Sequence, residues 1–111
     1  MVLASLPQAN GIPKPRPVLL LRELPPFGDF LVCGISTQLG KAVPAFDEVI
    51  VRGDADFRSS GLVADSVVRL GFLAVLPRQS VMGSIGVVEP SRHARLLRNL
   101  SRHLLANVGN K

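Results

Sequence analysis

The sequence predicts a small, mostly antiparallel β domain closed on one side by an amphipathic C-terminal helix. Three observations predict it. Nine Pro and ten Gly recur at short intervals and cut the 111-residue chain into segments. The apolar runs between them are short and rich in Val and Leu, as half-buried strands are. Only after Glu89-Pro90-Ser91 does the apolar spacing change from that of a strand to that of a helix.

Strands are expected at 1–6, 17–24, 29–36, 47–51, 65–76 and 84–88. PQANGIPKP, 7–15, reads as a loop turning at Asn10-Gly11, and PPFGD, 25–29, is short enough only for a hairpin connection. LGKAVPAF, 39–46, reads as a longer loop. DADFRSSG, 54–61, has the pattern of a short helix with Asp54 as cap and Gly61 as terminator. SVVRLGFLAVLP is a long strand or a bent pair, and Gly71 in its middle predicts a bulge or sharp bend. In the last segment Leu96, Leu97, Leu100 and Leu104 fall on one helical face and Arg95, Arg98 and Arg102 on the opposite one, with Ser91 as N-cap. That basic stripe reads as a solvated face, with nucleic-acid contact as the alternative. Nothing marks a linker or a repeat, so residues 1–111 are expected to form a single domain.

The totals narrow the function classes. Thirteen Lys and Arg against eight Asp and Glu give a net charge of +5, which suits a polyanionic partner but does not by itself define a fold or a chemistry. Five Phe and no Trp or Tyr argue against a single-strand binder built on several stacking platforms. Cys33 is the one cysteine, set in the apolar stretch FLVCGI, and reads as a small buried hydrophobe rather than a nucleophile. The N-terminus lacks the pattern of a signal peptide, and no apolar run approaches the ~20 residues of a membrane span. A cytoplasmic protein is expected.

The chemical inventory is short. His93 and His103 are about 15 Å apart along one helix, too far to share a phosphate or a metal. Asp54 and Asp56 could hold a divalent ion, but a helix cap followed by a first-turn acid explains them equally well. Glycines are scattered singly, so no phosphate loop is expected. There remain Arg16, Arg69 and Arg78 with Ser36, Thr37 and Ser66, side chains that can hold a phosphate and stabilise its transition state without metal. Arg16 stands apart from the other two. In KPRPVLLLREL it sits between Pro15 and Pro17, at the mouth of Val18–Leu21, a run that reads as a strand buried on both faces. The prolines restrict the backbone on either side of it, so it is either a structural lid or a preorganised tool.

The stretches KPRPVLLL, FLVCGISTQ and GLVADSVVRLGFLAVLPRQSVMGSIGVVEP, after MVLASLPQANG and before the basic helix, occur in the order found in MazF/PemK toxins of type II toxin–antitoxin systems. The chain resembles that family over nearly its whole length. The resemblance implies an SH3-like β-barrel with helices, a homodimer, and metal-independent endoribonuclease activity on single-stranded RNA, with no cofactor. A 2′-hydroxyl would attack its own phosphodiester, and a partner antitoxin with an acidic tail would occupy the groove. On the matching positions, Arg16 is the expected catalytic arginine. Ser36 stands where the family usually has a catalytic threonine, and Arg69 matches an arginine near the scissile phosphate. Lys14, Thr37 and Gln38 would contact RNA.

Two departures bear on this. Where some members carry an acidic proton acceptor, two residues after Arg69, this chain has Gly71, and members usually have a longer lead-in before the first strand. A catalytically weak or inactive binder of an antitoxin or another target is therefore the alternative. An unrelated basic β domain that binds nucleic acid is the third reading.

Overall fold

The computed structural model describes residues 1–6, 11, 14–106 and 108. The chain is mainly β: β1 (Val2–Leu6), β2 (Lys14–Leu24), β3 (Asp29–Ser36), β4 (Glu48–Ile50), β5 (Ser66–Leu76) and β6 (Val81–Ser84), with a short α1 (Phe57–Ser60) and a long α2 (Pro90–Leu105). The strands form one antiparallel sheet in the order β4-β5-β3-β2-β1-β6, with β4 and β6 as its edges, so the described ladder does not close on itself. The expected loop over 7–15 lies largely outside the described residues. Gly11 has the positive φ, +79°, of a turn glycine. Lys14 and Pro15, however, pair with β1, so β2 starts at 14 rather than the expected 17.

Alternation along the strands sorts the apolar residues onto two sides of the sheet. Leu19, Leu21, Cys33, Ile50, Val68 and Leu70 pack with Leu96 and Leu100 of α2. Val2, Ala4, Leu6, Val18, Val32 and Leu76 make a second cluster. Neighbours Val18 and Leu19 thus enter different clusters, which is why that run is apolar without alternation. Cys33 is fully buried, and desolvation, aided by the charge of Asp47, pushes its thiol up to about 12. It behaves as the buried hydrophobe that FLVCGI predicts.

The β2–β3 hairpin turns at 25–28, where Gly28 takes φ +77° and donates its N–H to the Leu24 carbonyl. The bulge expected at Gly71 is present. Cys33 faces Leu73, yet the next residue, Gly34, faces Arg69, so Leu70-Gly71-Phe72 have no partners on β3. The looped-out Phe72 covers Gly34, where an added Cβ would lie 2.8 Å from the Phe72 ring.

Three further expectations need correction. The sixth strand is 81–84 rather than 84–88. Residues 85–88 dock on α1 instead: Val87 N–H donates to the Ser59 carbonyl at 2.8 Å. The two backbones touch because Gly86 and Gly61 lack side chains; a Cβ on Gly86 would fall 2.2 Å from Ser59 O, and one on Gly61 2.1 Å from Ile85 O. The second correction concerns Asp54, which does not cap α1. Its carboxylate accepts the Val51 N–H, and α1 begins only at Phe57, ending at Gly61 with φ +80° as expected. The third is at α2, which starts at Pro90 with Glu89, not Ser91, as N-cap. Its buried face is Arg92, Leu96 and Leu100, while Leu104, expected on that face, is exposed. Among the described residues no helix is long and apolar enough to cross a membrane.

Candidate functional site

Strand register brings the two principal candidates together. Val18 of β2 faces Gly34 of β3. Two residues back on one strand and two forward on the other give Arg16 and Ser36, on the same side of the sheet by the period of the pleat. Both line a cleft of about 300 Å³ at the end of the sheet, together with Thr37, Gln38 and the 62–64 connection to β5. The arginine is exposed and the serine half-buried.

Ser36 does more than end a strand. Its Oγ accepts the Gln38 N–H at 3.0 Å, a hydroxyl-to-backbone turn that holds Thr37 and Gln38 at the rim. The hydroxyl proton stays available to donate, and a donor that also accepts is polarised toward donating more strongly. Pro17, also in the cleft wall, carries no N–H.

The remaining candidates are placed less centrally. Arg69 faces Gly34, so it lies on the same side of the sheet one pleat repeat from Ser36, but it is not in the cleft wall. Lys14 faces Leu6 at the start of β2, two residues beyond Arg16 along the strand, and is exposed. Gly71 is in the bulge, away from the cleft. The described lining of the cleft holds arginine, hydroxyls and an amide, and no Asp, Glu or His. Guanidinium, hydroxyl and amide N–H groups are all able to donate hydrogen bonds to an anion.

Elsewhere, the structure accounts for the side chains that suggested other chemistry. Asp54 and Asp56 turn inward to Arg92, which also reaches Glu48. Arg92 is 8% exposed and binds Asp56 through two nitrogens, Nε at 2.8 Å and Nη2 at 3.0 Å. The Asp56 carboxyl is held below its ordinary range, first by the guanidinium hydrogen bonds. Reading the helix arginines as a wet stripe missed this cluster. The signal was available: Arg92 is four residues before Leu96 and eight before Leu100, on the apolar face, where a cation calls for buried partners. The expected stripe is itself only partly wet, since Arg95 pairs with Glu48. His93 is likewise structural: a carbonyl only accepts, so its Nε2 carries the proton it donates to Leu21 O at 2.9 Å.

No protein-family model matches the chain, and no curated protein matches it significantly.

Proposed function

We propose that the chain is a metal-independent endoribonuclease of the MazF/PemK kind, acting on single-stranded RNA at the Arg16–Ser36 cleft. The observation that carries this reading is that Arg16 and Ser36, far apart in sequence, line one cleft free of carboxylates among its described residues. In the proposed reaction the 2′ oxygen bonds to phosphorus as its proton passes to water. The bond to the 5′ oxygen breaks, that oxygen takes up a proton, and a cyclic phosphate remains. Arg16 binds the non-bridging oxygens as charge builds on them, and the Ser36 O–H donates to the same phosphate. Thr37 and Gln38 contact the strand at the rim, Lys14 extends the basic track, and Arg69 adds positive potential from the neighbouring strand. The same reading takes the sheet, curved by its bulges, as an SH3-like barrel, the working unit as a homodimer, and an acidic antitoxin tail as the competitor for the cleft.

The test is incubation of a long single-stranded RNA and its DNA counterpart with the protein in EDTA. RNA cut to cyclic-phosphate ends, with DNA intact, is the expected result. Intact RNA would contradict it.

A second reading has its own support. With no Asp, Glu or His in the described cleft lining, and Gly71 in place of an acid, the cleft suits a binder that holds RNA or an acidic tail without cutting it. Saturable, salt-sensitive binding by a protein inert in that assay would establish this version.

A further inference from the structure

We infer a second binding site, for a single nucleotide unit, between the 43–46 turn and the last turns of α2. It is a cavity of about 500 Å³ lined by Val43, Ala45, Phe46, Asn99, Arg102 and His103, within the size range of small-ligand sites. The proposal stands apart from the cleavage reading, because it is judged by binding and not by cutting.

The turn is held in a costly shape. Ala45 has φ +60°, a left-handed conformation that is unfavourable for a residue with a Cβ. Neighbouring bonds enforce it. Asp47 accepts the Val43 N–H through Oδ2 and the Leu70 N–H through Oδ1, both at 2.9 Å. Asn99 Nδ2 donates to the Phe46 carbonyl at 3.0 Å. Locked strain of this kind clusters at ligand-binding and active sites, and here it borders the cavity.

What the turn presents is suited to a base and a phosphate side by side. The Phe46 and His103 rings stand 5.0 Å apart at 51°, forming an angled aromatic corner. Arg102 is exposed, and its Nη2 donates to Asn99 Oδ1 at 2.6 Å, so one amide fixes both the turn and the guanidinium. The guanidinium has further N–H groups to offer an anion. No carboxylate lines the described cavity to neutralise it. Arg98, exposed and one helical turn earlier, adds to the positive potential on this flank. A planar ring on the aromatic corner and a phosphate on Arg102 use both features, whereas a free anion or an acidic peptide would leave the ring surface idle.

The experiment is an amide chemical-shift titration of the full chain with the four nucleoside 5′-monophosphates, and separately with adenosine, inorganic phosphate and a short polyglutamate peptide. Saturable shifts confined to 43–47 and 99–103 are expected with at least one nucleotide. Arg102→Ala should weaken that binding on the order of tenfold, as expected for a lost charge-assisted hydrogen bond. His103→Ala should weaken it by a smaller factor, and Arg16→Ala should leave it unchanged. Both variants of the site replace exposed side chains, so they are expected to fold. Three results would overturn the proposal: no saturable shifts there, adenosine, phosphate or the peptide binding as tightly as the best nucleotide, or equal affinity after Arg102→Ala.

Discussion

Two arginines divide the molecule. Arg92 lies in the interior, ringed by Glu48, Asp54 and Asp56, and ties α2 to β4 and to the segment before α1. Arg16 stands exposed between two prolines, in a cleft with hydroxyls and an amide and no acid among its described lining. The side chain is the same, but its surroundings differ in charge. A guanidinium whose neighbours are carboxylates is committed to holding the fold. One whose cleft has hydroxyls instead of acids is set where an outside anion can approach. The lesson is to assign arginines by what surrounds them, not by counting them on a basic surface.

The sharpest way to break this comparison is at Arg92. Arg92→Ala strands Asp54 and Asp56, the latter more than nine-tenths buried, and leaves Glu48 to Arg95 alone. It should cost about 3–5 kcal/mol of stability by chemical denaturation. A cost below about 1 kcal/mol would show the cluster to be incidental. Next comes Arg16→Ala, which should leave the unfolding free energy within about 0.5 kcal/mol of wild type, as for exposed sites generally. The same change should lower RNA cleavage on the order of a hundredfold or more. Smaller is the loss expected from Ser36→Ala, roughly tenfold in rate for one hydroxyl donor. Ser36→Thr should retain most of the activity.

Acid offers a gentler probe of the buried side. The Asp56 carboxyl titrates below its ordinary value of 3.8 in the folded chain. The unfolded state therefore takes up that proton first as pH falls. The stabilisation is complete above the ordinary carboxylate range and is lost as pH drops through the lower, folded value. Denaturation midpoints measured from pH 7 down to pH 3 should fall, and fall less steeply in Asp56→Asn. Equal slopes would remove Asp56 from the account.

Much of the framework was legible because it depends on local rules. The 25–29 hairpin, the bulge at Gly71 and the termination at Gly61 follow from residues whose backbone preferences act alone. The sixth strand was misplaced because Val87 and Val88 look like strand residues. Their partner is the carbonyl of Ser59, reached only because Gly86 and Gly61 let two chain segments touch. Such a contact between segments distant in sequence has no local pattern. The site divides in the same way. The proline clamp on Arg16 is visible in KPRP, but its proximity to Ser36 comes from strand register. The hairpin at 25–29 and a register shift between Leu20 and Arg22 set that register together, and the shift has no local signal. Arg69 was grouped with them, but the register shift between Cys33 and Gly34 leaves it outside the cleft wall. The 43–46 turn was expected only as a loop, since the strain at Ala45 is imposed by Asp47 and Asn99 from outside it.

The central claim is that Arg16 performs phosphate chemistry which the rest of the fold merely supports. The most direct measurement is the single-turnover rate of RNA cleavage in EDTA for wild type and Arg16→Ala, on samples shown by denaturation to be equally stable. The account predicts cutting by wild type and a loss on the order of a hundredfold or more in the variant. Equal rates, or no cutting by either protein, would contradict it.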